Sequence, residues 1–219
     1  MAADARLPEQ HPVLHHIARF VLRPLFRLYF RIRGEGLTNL PPGGPYLLAP
    51  NHVSMLDWAF ISYFLPYLVR FMVDRSFYET PVLGFGLRVN GAIPIRAGRP
   101  DAQALKQAHA VLEAGEALIV FPEGAISRTG RPARAQPGII SLAAATGTPI
   151  LPVAVRGAYE AFPRWRRLPR PRTVTVVFGR PLPPPPSTGD RTARQAQADG
   201  LMTHIAAMLD GREPETAPW

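Results

Sequence analysis

Short apolar runs alternate with amphipathic stretches from residue 46 onward. The runs are bounded by turn residues, which predicts buried strands at 46–49, 70–73, 92–95, 117–121, 150–155 and 173–178. The stretches between and after them predict helices at 54–65, 80–88, 101–114, 138–146 and about 190–209. The third helix is the clearest, because Asp101 caps it and Gly115 ends it. This alternation predicts an α/β fold with a mixed, mostly parallel sheet flanked by helices.

The segment 13–33 has a different pattern, in which an arginine recurs every four residues among apolar and aromatic ones. The four are Arg19, Arg23, Arg27 and Arg31. On a helix they form one slanted stripe, which suits a helix lying in the plane of a membrane interface. The alternative is a helix that packs on its own domain with the arginines in water. Pro24 should kink this helix or start a second one.

Composition limits the classes of function. The 219 residues include 25 Lys+Arg and 16 Asp+Glu, for a net charge of +9, so we expect an anionic partner such as a nucleic acid, a membrane surface or a phosphorylated substrate. There is no cysteine, which excludes disulfides, zinc–thiolate sites and a cysteine nucleophile. The longest nearly uncharged apolar stretch, 58–69, is too short to span a bilayer. We expect an amphipathic segment at 1–37, a domain at 38–211 and a loose tail at 212–219.

A basic cluster, RWRRLPRPR at 164–172, raises the question of nucleic acid binding. It holds five arginines and Trp165. Prolines break it, so it does not resemble a helix that reads a DNA groove. A basic patch that contains a tryptophan also suits anionic lipid headgroups. We therefore expect a membrane surface as the partner and no nucleic acid.

His52 and Asp57 are the first candidates for chemistry. They lie in NHVSMLD, 51–57, directly after the first predicted strand. A helix starting near Ser54 would point Asp57 back toward the loop, where its carboxylate could fix the tautomer of the His52 imidazole. Ser54 and Asp57 equally fit a capping box, in which Asp57 accepts a backbone N–H. The spacing leaves both roles open, and one carboxylate should not easily fill both.

Two further segments end strands with polar residues. FPEG at 121–124 brings Glu123 and Gly124 to the carboxyl end of a strand, where ligands bind in α/β sheets, and Arg128 follows. GAIPIR at 91–96 ends in Arg96, which could hold a phosphate in a bidentate manner. The alternative in each case is a polar turn whose arginines are solvated.

In this order the segments resemble the motifs of the glycerolipid acyltransferase family of the lysophosphatidic acid acyltransferase type. The resemblance covers about residues 38–180 and consists of NHVSMLD at 51–57, PVLG at 81–84, GAIPIR at 91–96, FPEG at 121–124 and TPILPVAV at 148–155. The third family motif commonly continues Thr-Arg-Ser, whereas Ala125 and Ile126 stand here in place of Thr-Arg. This form looks more like the modules that reacylate lysophospholipids, and Arg128 would substitute for the missing arginine.

The resemblance implies an enzyme that moves a fatty acyl chain from acyl-CoA or acyl carrier protein to the free hydroxyl of a lysolipid, with 1-acylglycerol-3-phosphate as the acceptor. The alternatives are another lysophospholipid or aminolipid acceptor, or a non-catalytic lipid-binding protein. It implies His52 as the general base and Asp57 as its partner, with no metal or cofactor. The substrate would be held by Arg75, Arg96, Glu123, Gly124, Ser127 and Arg128. We expect the protein to lie peripherally on the cytoplasmic face of the cell membrane.

Overall fold

A computed structural model describes residues 11–96 and 101–219, which share one seven-stranded sheet. The strands are β1 (Arg33–Glu35), β2 (Leu47–Pro50), β3 (Arg70–Asp74), β4 (Ile93–Ile95), β5 (Leu118–Ile119), β6 (Ile150–Arg156) and β7 (Thr175–Phe178). Their order across the sheet is β1-β7-β6-β2-β5-β3-β4. The five strands from β6 to β4 are mutually parallel, whereas β7 is antiparallel to β6 and parallel to β1. The predicted mixed, mostly parallel sheet is confirmed.

Helices cover both faces of this sheet. They are α1 (Pro12–Phe30), α2 (Asp57–Ser62), α3 (Pro81–Val89), α4 (Ala102–Glu113), α5 (Gly138–Thr146), α6 (Ala158–Ala161) and α7 (Arg191–Leu209). Asp101 caps α4 as predicted, since its Oδ1 accepts from the backbone N–H groups of Gln103 at 3.2 Å and Ala104 at 3.1 Å. The patterning predicted neither α6 nor β1, because a strand reading Arg-Gly-Glu has no apolar residue to mark it.

Two apolar cores lie on opposite faces of the sheet, as alternate residues of β2 show. Leu48 belongs to a core rich in aromatic side chains, which includes Phe30, Phe60 and Phe71. Leu47 belongs to a core of aliphatic and small side chains, mainly from α4, α5 and α7. Successive strand residues point to opposite faces, so a strand that is apolar throughout is buried on both. The candidate site lies at the carboxyl ends of the strands, mainly beside the aromatic core.

The helix α1 is one helix, with Pro24 inside it. Pro24 therefore starts no second helix, which was one of the two outcomes that the sequence left open. α1 ends at Phe30 because Arg31 adopts a left-handed conformation with φ 44°. Phe30 is buried, and its ring lies 5.0 Å from that of Phe60, which anchors the last turn to the aromatic core. Within the described ranges, no helix has both the length and the apolar character needed to cross a membrane.

Both ends of the predicted domain join the fold more closely than the sequence indicates. The segment 1–37 contributes β1 to the sheet, where Arg33 N donates to Val174 O at 2.9 Å. The tail 212–219 is not loose at its end, because Ala217 and Trp219 pack against the aliphatic core and Pro218 lies against Gly200. The partly buried ring of Trp219 supplies apolar contact in a segment whose charged and proline residues suggested none.

Candidate active site

His52 lies in the loop that follows β2, at the carboxyl ends of the parallel strands. Its Nδ1 lies 3.0 Å from Oδ2 of Asp57, the first residue of α2. The carboxylate of Asp57 is fully buried, whereas the imidazole is 16% exposed. The ring of Phe121 stacks on the imidazole at 3.7 Å between centroids. In the tautomer that carries its proton on Nδ1, the imidazole donates to Oδ2 of Asp57, and the Nε2 lone pair can accept a proton. Within the described ranges, no residue hydrogen-bonds Nε2.

Asp57 fills both roles that the sequence left open. Its Oδ2 also accepts from the backbone N–H groups of Val53 at 2.7 Å and Ser54 at 2.8 Å. The expectation that one carboxylate could not easily do both is wrong, because the loop curls around a single oxygen. The same hydrogen bonds keep residues 53 and 54 out of the helix, so α2 begins at Asp57 and not near Ser54.

Two buried side chains of the same loop tie it to the sheet and to the chain beyond β6. Asn51 donates through Nδ2 to Val155 O at 3.1 Å and accepts from Val155 N at 2.7 Å. Ser54 Oγ donates to Phe162 O at 2.8 Å. No local pattern signals either contact, since more than a hundred residues separate the partners.

Glu123 holds the backbone of the His52 loop. Its Oε1 accepts from His52 N at 2.7 Å, and its Oε2 accepts from Ala133 N at 2.8 Å. Ser127 N donates in turn to His52 O at 2.7 Å, and Ser127 Oγ donates to Arg131 O. Burial raises the pKa of Glu123, and the two backbone hydrogen bonds oppose that rise. Both side chains predicted to bind substrate are thus engaged within the protein.

A cavity of about 240 Å³ opens beside His52. Its wall is mainly apolar, with the stacked rings of Trp58 and Phe71 at 4.6 Å between centroids. Gly124 contributes to the wall with φ 70°, a conformation that favours glycine. Among the described residues, the polar and charged ones on the wall are His52, Asp74, Ser76 and Arg164. Such a cavity suits an apolar chain with a reactive group presented to the imidazole.

The arginine on the described cavity wall is not one of those predicted to bind substrate. Arg75, Arg96 and Arg128 are exposed and lie outside the wall, although each follows within two residues of a wall residue. Arg164, which the sequence assigned to a membrane-facing cluster, is part of the wall. The signal that could have found it is its position eight residues after β6, a strand that neighbours β2 in the sheet.

Comparison with known proteins decides the family. The family model described as Acyltransferase matches residues 31–156. The chain belongs to this acyltransferase family. The match contains His52, Asp57, Arg96 and Glu123 and ends before Arg164.

Named relatives agree with the family. The chain is 28% identical over 160 residues to a chloroplastic 1-acyl-sn-glycerol-3-phosphate acyltransferase of Arabidopsis thaliana, covering 71% of this chain and 44% of the relative. It is 30% identical over 173 residues to the 1-acyl-sn-glycerol-3-phosphate acyltransferase of Pseudomonas aeruginosa, covering 76% of this chain and 65% of the relative. The chain spans about half the length of the curated relatives that it matches first.

A solved structure has the same fold. The crystal structure of the 1-acyl-sn-glycerophosphate acyltransferase PlsC from Thermotoga maritima superposes with a TM-score of 0.69 at 23% identity. The likeness covers 92% of this chain and 85% of that one. The acyltransferase fold therefore extends beyond the residues that the family model matches.

Proposed function

We propose that this protein transfers a fatty acyl chain from a thioester donor, acyl-CoA or acyl carrier protein, to the free hydroxyl of 1-acylglycerol-3-phosphate in phospholipid biosynthesis. The observation that carries the proposal is the His52–Asp57 pair, whose imidazole opens onto an apolar cavity of about 240 Å³. The names of the Arabidopsis and Pseudomonas relatives support this acceptor.

The pair suits base catalysis on an alcohol. Nε2 of His52 takes the hydroxyl proton as the hydroxyl oxygen bonds to the thioester carbonyl carbon. The carbon–sulfur bond then breaks, and the departing thiolate takes the proton from the imidazolium. Asp57 holds the tautomer and stabilises the imidazolium, and general base catalysis of this kind contributes about 10²–10⁴-fold.

The substrate contacts divide between the wall and its rim. Gly124 lies on the wall and would contact substrate directly, whereas Glu123 and Ser127 act by holding the loop. Arg75, Arg96 and Arg128 adjoin wall residues in the sequence, so we assign them to polar parts of the substrates that extend beyond the cavity.

We also propose that the protein lies on an anionic membrane surface. Phe20 and Leu28 of α1 are 84% and 83% exposed beside the exposed Arg23 and Arg27, which is the surface of an interfacial helix. The arginines suit the anionic cytoplasmic leaflet, so we assign the protein to that face.

The basic loop that follows α6 extends this surface. Trp165 and Leu168 are large exposed apolar residues within it. Tyr29 OH donates to Pro169 O at 2.9 Å, which holds the loop against the end of α1. The helix and the loop thus offer one continuous apolar and basic surface to the bilayer.

The test incubates the purified protein with acyl-CoA or acyl carrier protein donors and a panel of lysolipids, with product identified by mass spectrometry. We expect diacylglycerol phosphate from 1-acylglycerol-3-phosphate, and no product from the H52A variant although it folds and binds vesicles. If product forms only from another lysophospholipid or from an aminolipid, that lipid is the acceptor in place of 1-acylglycerol-3-phosphate. Lipid binding without product from any donor would make the protein a non-catalytic lipid-binding module.

A further inference from the structure

Among the described residues of the cavity wall, Arg164 is the one arginine or lysine. The wall also contains the carboxylate of Asp74, but Asp74 Oδ1 accepts from Ser76 N at 2.9 Å and Ser76 Oγ at 2.7 Å. Arg164 is exposed at the mouth of the cavity, where its guanidinium can offer charged hydrogen bonds to an anionic group that extends out of the apolar interior.

The backbone on both sides of Arg164 is held in place. Ser54 Oγ binds the carbonyl of Phe162 at 2.8 Å, and Pro163 is buried. Arg166 N donates to Pro163 O at 3.0 Å, which closes a turn around Arg164. Because Ser54 is two residues from His52, the same loop positions the base and the arginine. The spacing between them is therefore a property of the fold.

The guanidinium of Arg164 is free to bind a ligand. Several other arginines pair with carboxylates, among them Arg70 with Glu116, Arg134 with Asp199 and Arg156 with Glu35. No acidic side chain in the described part of the chain forms an ion pair with Arg164. A planar, permanently charged fork matches the geometry of a phosphate group.

We infer that Arg164 binds a phosphate group of a substrate at the mouth of the His52 cavity, an inference that rests on the proposed acyl transfer. The phosphate belongs either to the acceptor, as the phosphomonoester of the lysolipid, or to the carrier part of the donor. In either case the contact orients a substrate whose reacting group lies at the imidazole.

The experiment compares R164A with R167A, which removes the same charge from an exposed residue of the same loop that is not part of the wall. With 1-acylglycerol-3-phosphate as acceptor, we expect R164A to raise one KM by about 10–100-fold, as lost charged hydrogen bonds do, with kcat changed by less than about threefold. Because Arg167 belongs to the proposed membrane surface, R167A should at most weaken vesicle binding and should not raise one KM selectively. R164K should recover part of the affinity, since it restores the charge without the fork.

The acceptor KM and the donor KM together identify which substrate carries the phosphate that Arg164 binds. A rise confined to the acceptor KM assigns the lysolipid phosphate, and a rise confined to the donor KM assigns the carrier. Unchanged KM values in R164A, or equal losses in R164A and R167A together with weaker vesicle binding, would overturn the inference. If R164A does not fold, as judged by thermal unfolding, R164Q takes its place.

A binding measurement keeps this result separate from the proposed reaction. Titration of wild type and R164A with 1-acylglycerol-3-phosphate and with uncharged monoacylglycerol needs no turnover. If wild type forms no product but binds the phosphorylated lipid more tightly than monoacylglycerol, and R164A loses this preference, the proposed reaction is refuted. The phosphate site then stands. If wild type forms product, and R164A keeps the wild-type preference for the phosphorylated over the uncharged lipid and binds the donor as tightly, the phosphate site is refuted. The proposed acyl transfer then stands.

Discussion

The carboxylate of Glu123 binds the backbone of His52, with Oε1 2.7 Å from the amide nitrogen. The other oxygen binds the amide of Ala133, so one buried side chain joins the loop after β2 to the loop after β5. The imidazole is therefore positioned by a residue 71 positions away, in addition to Asp57 in its own loop. This arrangement gives Glu123 a positioning role rather than direct contact with substrate.

Replacing Glu123 by Gln tests that role through stability and its pH dependence. The amide retains one acceptor and turns an NH₂ group toward a backbone N–H, which leaves a buried donor unsatisfied at a cost of about 1–3 kcal/mol. Burial raises the pKa of Glu123 from its usual value of 4.5, so the fold favours the protonated form. In wild type the free energy of unfolding should therefore fall as the pH rises from about 4.5 through the raised pKa.

E123Q should lack that fall, which urea denaturation at a series of pH values measures. E113Q changes an exposed glutamate of α4 and serves as the control, expected to keep the wild-type pH profile. An unchanged profile in E123Q would refute the assignment of this pH dependence to Glu123.

Asp57 to Asn should reduce kcat by about 10²–10⁴-fold, because a neutral amide no longer stabilises the imidazolium that forms on His52. The hydrogen bonds from Val53 N and Ser54 N can persist on the amide oxygen, so the loop should remain folded. Steady-state kinetics and circular dichroism of D57N together check this prediction. A folded D57N with wild-type kcat would exclude Asp57 as the partner of the base.

The exposed face of α1 should determine vesicle binding. Replacing Phe20 and Leu28 by Ser should weaken co-sedimentation with anionic vesicles by about tenfold or more, since a fully buried large apolar side chain contributes about 1.5–3 kcal/mol. Added salt should weaken the wild type as well, because arginine attraction to the surface is screened. L105S removes an exposed leucine of α4, on the other side of the sheet, and should bind as wild type. Equal losses in both variants would refute a specific role for α1.

His204 in α7 should set a pH dependence on the acid side of neutrality. Burial lowers the pKa of its imidazole from 6.5, while Glu213 opposes the shift, and Nε2 is buried without a partner among the described residues. The unfolded chain therefore binds a proton more readily, and the free energy of unfolding should fall as the pH drops from about 6.5 through the lowered pKa. H204L should remove this fall, whereas H109Q, at a more exposed histidine, should keep it. Thermal unfolding between pH 5 and 8 distinguishes the two.

Local signals in the sequence determined most of the α/β order. A helix is specified by a period near 3.6 and its caps, so α4, α5 and α7 were predicted within about two residues of their bounds. The buried strands were specified by apolar runs between turns, which located β2, β3, β4 and β6. The spacing of five residues between His52 and Asp57 left the role of Asp57 open, and only the family resemblance implied that the two form a pair.

Only the tertiary structure decided what depends on contacts between distant segments. It set Glu123 against the His52 backbone, brought β1 to the edge of the sheet, and placed Arg164 on the cavity wall while Arg96 and Arg128 remained outside it. Twenty-four of the protein's cationic residues are arginines, so the residue type alone carries no information about which one faces a substrate. That choice is made by the packing of loops at the carboxyl ends of the strands, where residues far apart in the chain become neighbours.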